Sequence, residues 1–234
     1  MILLVMTGSL AMVMLDTTIV AVSLPSIQAN LPDVSQNLLE WVVVAYMVVL
    51  ASFMALGGHL GDLFGKPKMF FLGVVGFGIA SMLCGLAWSG SSLIFFRVVQ
   101  GLFAVIMQPA SSAIVIGSFA PEDRGKAMAV YAGIPLLFLT AGPVLGGVIT
   151  EYASWRYCFL INVPIALIVG IAVMVLKPRN PGRRGTRFDW WGAALLGTGL
   201  PSLIIPIQQS SVWGWANPWT LGMIVLGLII LVCF

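Results

Sequence analysis

Eight apolar runs follow one another along this chain with almost no charged side chain inside them, and each is close to the ~20 residues that a helix needs to cross a bilayer. They extend approximately over Ile2–Leu24, Leu38–Gly57, Met69–Trp88, Leu93–Ile116, Ala127–Thr150, Cys158–Leu176, Trp190–Gln208 and Trp219–Phe234, the last falling short of a full crossing. In hydrocarbon every backbone N–H and C=O must be bonded within the protein, so a crossing segment is a helix or part of a closed barrel. Runs of this length suit helices, since a barrel strand spans with about 10 residues. The predicted fold is an all-α polytopic membrane protein. It comprises a six-helix bundle over residues 1–176, a basic connector over 177–189 and additional spans over 190–234, with the eighth span incomplete.

Composition agrees with lipid as the solvent: 60% of residues are hydrophobic, 8% are charged and the mean hydropathy is +1.06. A net charge of +3 suggests nucleic acid only until the charges are located, and they lie in short loops between the runs. With the amino terminus inside, the loops after runs two, four and six hold Lys66, Lys68, Arg124, Lys126, Lys177, Arg179, Arg183, Arg184 and Arg187, nine of the 11 basic residues. The other two are Arg97, inside run four, and Arg156, in an outer loop with Glu151. Positive charge collects on the cytoplasmic side of membrane proteins. The chain is therefore predicted to sit in the cell (inner or plasma) membrane, multi-pass, with its amino terminus cytoplasmic and the bilayer, not nucleic acid, as its partner. Cys84, Cys158 and Cys233 all fall within apolar stretches and read as packing residues, with neither a disulfide framework nor a metal quartet suggested. The first run lacks the basic start of a signal peptide and carries Asp16, so it reads as a span. Met1 has no polar leader and Phe234 ends within an apolar run, from which truncation at one or both ends is expected.

Two residues break the apolar rule. An ionisable group near the bilayer centre costs at least about 2.5–3.5 kcal/mol, and such groups mark functional sites by default. Asp16 lies about eight residues from the outer end of run one, roughly 12 Å deep at ~1.5 Å per residue, and Arg97 enters run four from the same side. They read as a proton-binding carboxylate tuned by an internal cation; a purely structural ion pair is the alternative. A second constellation runs from Gly58 through Gly61, Asp62, Gly65 and Lys66 to Lys68 between runs two and three. It reads as a tight turn in which glycines allow the reversal and Asp62 accepts N–H bonds at a facing helix start, a latch that engages and releases. In run five, Gly142 and Gly146 form a small-xxx-small face beside Pro143 and Gly147, predicting close packing with a bend. His59, the single histidine, reads as a surface residue at the turn. A membrane-embedded enzyme would need paired acids, an intramembrane histidine or a metal cluster, so no catalytic or metal residues are assigned.

Together these residues resemble the major facilitator superfamily, and within it the fourteen-span drug:proton antiporters. Leu15 to Pro25 is similar to that family's first-span motif, whose aspartate is implicated in coupling, with Ala21 where asparagine is usual. Gly58 to Lys68 resembles the gating loop after span two, with Leu63 and Pro67 where basic residues are common. Leu93, Arg97, Gln100 and Gly101 match the fourth-span motif, whose arginine is credited with proton transfer. Gly142, Pro143, Gly146 and Gly147 resemble the fifth-span antiporter motif, with Phe138 where glycine is frequent. Trp155-Arg156 leading to Asn162, Val163 and Pro164, then Phe188-Asp189-Trp190, resemble the entries into spans six and seven.

The resemblance implies a transporter working by alternating access, in which protonation of Asp16 shifts the preferred conformation and small hydrophobic or cationic drug-like molecules are expelled. Asp16 would also attract cationic substrates. The energy source is the proton gradient, with no cofactor. Trp41, Tyr46, Met107 and Gln108 are possible pocket contacts on spans that the resemblance places around the pathway, with ordinary packing as their alternative. The second half of the pathway, missing from the chain, would be required for activity. An uptake symporter for a small solute, or a non-functional truncated fragment, are the competing readings.

Overall fold

The computed structural model describes residues 1–31, 34–178 and 190–233, which form helices joined by short turns. The helices are α1 (Ile2–Asn30), α2 (Gln36–Phe64), α3 (Lys66–Gly85), α4 (Gly90–Ser118), α5 (Arg124–Tyr152), α6 (Arg156–Leu160), α7 (Asn162–Leu176), α8 (Trp190–Gln208), α9 (Ser210–Trp213) and α10 (Pro218–Val232). Seven stretches among the described residues are long and apolar enough to cross a membrane, with α6 and α7 counted as one, while α10 is a shorter apolar helix. The all-α polytopic fold is thus as expected. The remainder of the predicted connector and Phe234 lie outside the described residues.

Hydropathy marked where the chain is oily, and the helices outrun it. α1 continues through Pro25 to Asn30, six residues past the expected end. Proline withdraws one donor from the ladder, yet fully buried Ile27 anchors the next turn among Leu31, Val34 and Leu39. Asp16 therefore occupies the middle of a 29-residue helix. The larger correction concerns Gly58 to Lys68. Gly58, His59, Gly61 and Asp62 all belong to α2, and the reversal is made by Gly65 alone, at φ 94°. A left-handed residue costs glycine little, and Lys66 starts the next helix at once, with Pro67 beside it in the first turn where its missing N–H does no harm. His59 is half-buried in α2 and not on a turn.

α1 packs along α5, and α4 receives both α2 and α3, while α7 closes against α3 and α1. Close approach depends on positions without a side chain. Pro109 supplies no N–H for the Val105 carbonyl one turn earlier, and that carbonyl lies against Gly57 of α2, where a Cβ would strike it. Gly101 likewise admits Val49 and the Tyr46 carbonyl. α5 lies on α1 through Gly142, which faces Thr18, and Gly146, which faces Ile19, whereas Gly147 meets nothing within 4 Å. Arg156, read from the sequence as an outer-loop cation, instead donates from Nη1 to the carbonyls of Gly85 (2.9 Å) and Ala87 (2.7 Å), tying the end of α3 to the start of α6. Pro164 cannot bond the Leu160 carbonyl, which accounts for the interruption between α6 and α7 at Ile161. α8 and α10 form an antiparallel pair, with Gly199 against Ile230 and Gly227 against Leu203, and α8 leans on α2 where Gly197 meets Phe53.

Gly57→Val should force α2 away from α4 and lower stability by about 1–3 kcal/mol, the usual cost of overpacking. The readout is the thermal unfolding midpoint in detergent, with Gly133→Ala as control because nothing lies within 4 Å of that position. Equal midpoints for the two variants would show that the Gly57 contact is dispensable.

Candidate functional site

The centre of the bundle is a buried polar cluster. Asp16 on α1 and Arg97 on α4 are both 0% exposed, and Arg97 Nη1 lies 2.6 Å from Asp16 Oδ2. The same Nη1 donates to Gln100 Oε1 at 2.7 Å, and Nε donates to the Val42 carbonyl of α2 at 2.9 Å. The other carboxylate oxygen, Oδ1, accepts from Gln100 Nε2 at 3.0 Å and from Asn162 Nδ2 of α7 at 2.9 Å. Ser81 of α3 accepts from both amides, at 3.2 and 3.0 Å, and donates to the Phe159 carbonyl at 2.9 Å. Tyr46 lays its ring over the guanidinium, 4.1 Å from ring centre to Cζ.

This arrangement dictates a charge state. Asp16 is met by donors only, from Arg97, Gln100 and Asn162. A carboxylate satisfies them all, whereas a protonated carboxyl would present an O–H with no acceptor. The site is thus built for the ion in this conformation. Charge neutralisation at Asp16 would leave Arg97 without a counter-ion in a medium where an unpaired charge is costly. Arg97 Nη2, Asn162 Oδ1 and the Tyr46 hydroxyl are buried without a hydrogen-bond partner among the described residues, so the cluster retains capacity for a different set of bonds.

A separate groove, broadly open on one side and with a volume of about 720 Å³, lies nearer the end of the bundle that carries Lys66 and Arg124. Its walls include Leu10 of α1, Met54 and Gly58 of α2, Gln108 and Ser112 of α4, and Tyr131 of α5. No group of three or more His, Cys, Asp or Glu residues able to hold a metal occurs among the described residues.

A model of the Major Facilitator Superfamily matches residues 6–234. The chain belongs to this superfamily. Its curated relatives include the puromycin resistance protein pur8 of Streptomyces alboniger, 34% identical over 99% of this chain and 46% of that protein. The tetracenomycin C resistance and export protein of Streptomyces glaucescens is 34% identical over 95% of this chain and 41% of that protein. Multidrug resistance protein 3 of Bacillus subtilis (strain 168) is 30% identical over 94% and 43%. The chain spans less than half the length of these relatives. Among solved structures, a peptide transporter POT bound to sulfate superposes with a TM-score of 0.72 at 14% identity, covering 99% of this chain and 51% of that one. The xylose transporter XylE from E. coli gives 0.67 at 17% identity, covering 97% and 61%. These two show a shared fold. The chain is a transporter-family protein and not an enzyme.

The structure distributes the residues singled out from the superfamily motifs over several places. It brings Asp16 and Arg97 into direct contact. Asp62 lies 3.4 Å from Lys66, both partly exposed, so its bond at the start of α3 is to a side chain and not to backbone N–H groups as expected. Lys68 is exposed, as is Pro143 on the outer side of α5. Of the four pocket candidates, only Gln108 lines the cavity described above. Tyr46 covers Arg97, fully buried Met107 packs on Gly73 of α3, and half-buried Trp41 lies far along α2 from that cavity. Asp16 has no face on the cavity either. Gln100 and Asn162 entered the sequence reading only as motif residues without a role at the site, and Ser81 was missed altogether. The first two are amides inside oily helices, and that alone was a signal.

Arg97→Leu should strand the Asp16 carboxylate and cost about 3–5 kcal/mol, the range for removing one partner of a buried pair. Adding Asp16→Asn to it should recover part of the loss, because no lone charge then remains. Unfolding in detergent measures both, and a single variant as stable as the parent would show that the pair is not buried as described.

Proposed function

We propose that this chain forms the proton-coupling half of a small-molecule exporter in the cell membrane, driven by the proton gradient and working with a second half by alternating access. The observation that carries the proposal is the all-donor setting of the Asp16 carboxylate at the middle of α1. A proton arriving at Asp16 from one side of the membrane neutralises it and releases Arg97, Gln100 and Asn162 from their shared acceptor. Rotation of the Asn162 amide would then offer its unpartnered Oδ1 to the new O–H. Because these groups sit on α1, α4 and α7, the exchange of bonds favours a different helix arrangement. Loss of the proton to the other side restores the arrangement seen here.

Support for export comes from relatives whose names describe antibiotic resistance and export. The distribution of basic residues supports a cytoplasmic amino terminus, which places Asp62, Lys66 and Lys68 at the cytoplasmic face as a gating element. The fourteen-span drug:proton antiporters remain the subfamily that the motifs favour.

In cells making the full-length transporter, Asp16→Asn should raise accumulation of its fluorescent or antibiotic substrates to the level of cells lacking the protein. A protonophore should do the same to the parent, and export by the variant is read per amount of protein in the membrane, because Asp16→Asn leaves Arg97 without its counter-ion. Export by Asp16→Asn at the parent rate, or parent export indifferent to the protonophore, overturns proton coupling through this residue.

A further inference from the structure

α3 and α7 take no part in that groove and meet each other through small residues. A Cβ on Gly78 would strike the Ala166 methyl, so the helices are drawn together at a point that tolerates no further side chain. Larger groups rise on either side of this contact, Ile79 and Met82 from α3 and Val163 and Leu167 from α7. The result is an apolar slot of about 160 Å³ with Gly78 and Ala166 as its floor. Floor and walls differ in exposure: Gly78 and Ala166 are buried, whereas Ile79 is 52% and Leu167 63% exposed. The slot therefore opens outward from the bundle.

A cation stands at one end of it. The stripe formed on α3 by Gly78 and Met82 continues to Gly85, about 4.5 Å further along the axis, and there Arg156 donates from Nη1 to the Gly85 and Ala87 carbonyls. Its guanidinium also lies over the buried Trp155 ring, 4.5 Å from Cζ to ring centre, so the group is held in place. Among the described residues Nε and Nη2 have no hydrogen-bond partner, and no carboxylate lies within ion-pair distance of Arg156. Trp88 and Tyr157, next in sequence to Ala87 and Arg156, are both exposed, and aromatic side chains of this kind mark the membrane–water interface. A fixed positive charge thus sits at headgroup depth, and the apolar slot runs from it into the hydrocarbon. Guanidinium donors match a phosphate. The order of the two features, charge and then oil, is that of an amphiphile. We propose that this is a seat for one anionic glycerophospholipid, its phosphate on Arg156 and an acyl chain in the slot between α3 and α7. Any oily surface is wetted by lipid, but a seated lipid is chosen by its headgroup. The site is separate from Asp16 and independent of proton coupling.

The probe is a phosphatidylglycerol with a diazirine midway along one acyl chain, present at low fraction in phosphatidylcholine nanodiscs that hold the whole chain. Ultraviolet light fixes the probe to whatever lies against it, and mass spectrometry of the peptides locates the label. Label should concentrate on residues 75–82 and 163–167. Unlabelled phosphatidylglycerol should compete about fivefold better than phosphatidylcholine with identical acyl chains, the ratio expected of one basic residue beside an anionic lipid. Arg156→Gln should abolish that preference while label still reaches the slot, a combination that a misfolded bundle would not give. Val163→Trp fills the slot from one wall and leaves Arg156 in place. It should lower labelling of the two segments to the level found on exposed Leu228 and Ile229 of α10. Three results overturn the proposal: label spread evenly over the exposed faces of α3, α7 and α10, equal competition by the two lipids in the parent, or two segments free of label because a second copy or another protein surface covers them. Asp16→Asn should leave the labelling pattern as it was, so failure of the proton-coupling reading would appear only in the efflux assay.

Discussion

An ion pair placed in oil survives only if its surroundings replace the water it has lost. Asp16 and Arg97 make that demand, and the fold answers it with groups from five other places in the sequence: the Val42 carbonyl and Tyr46 ring on α2, Ser81 on α3, Gln100 on α4, the Phe159 carbonyl on α6 and Asn162 on α7. Satisfying one carboxylate thereby fixes how α1, α2, α3, α4 and the α6–α7 span stand relative to one another. Apolar packing in a membrane is permissive, because lipid tails compete on nearly equal terms with neighbouring helices. The directional bonds of this cluster give the bundle a particular register.

The packing around the cluster obeys the same economy of side chains. Gly57 on the freed Val105 carbonyl and Gly101 on the Tyr46 carbonyl bring α2 close enough to α4 for its backbone to become a ligand of the guanidinium. A methyl group at Gly57 would strike the Val105 carbonyl and force the helices apart, and one at Gly101 would need Val49 and the Tyr46 carbonyl to give way by a few tenths of an ångström. Glycines that look like flexibility in the sequence act here as spacers of zero thickness.

Much of the fold was legible because lipid imposes a coarse code: an oily run of bilayer length can be little else than a spanning helix. Ends were less legible, since hydropathy reports the depth of the hydrocarbon and says nothing of how far a helix continues beyond it. That is why α1 passed through Pro25 and α2 passed through Gly58 and Gly61. Asp16 and Arg97 stood out as charges among apolar neighbours, but their pairing through a shared set of amides is a fact of three-dimensional meeting, 81 residues apart in sequence. Pocket residues were the least legible. Met107 and Gln108 are adjacent, and a helix turns about 100° between neighbours, so one packs on α3 while the other faces a cavity.

α5 stands outside the polar cluster. It meets α1 along Gly142 and Gly146, and among the described residues no hydrogen bond joins the two helices. Such a seam is held by dispersion forces between closely fitted surfaces, Thr18 against Gly142 and Ile19 against Gly146. α1 thus has one side fixed by directional bonds and one held by close packing alone. The far member of that seam, through Tyr131, is also a wall of the groove between α1, α2, α4 and α5, so the helix that carries Asp16 stands between the polar cluster and that groove.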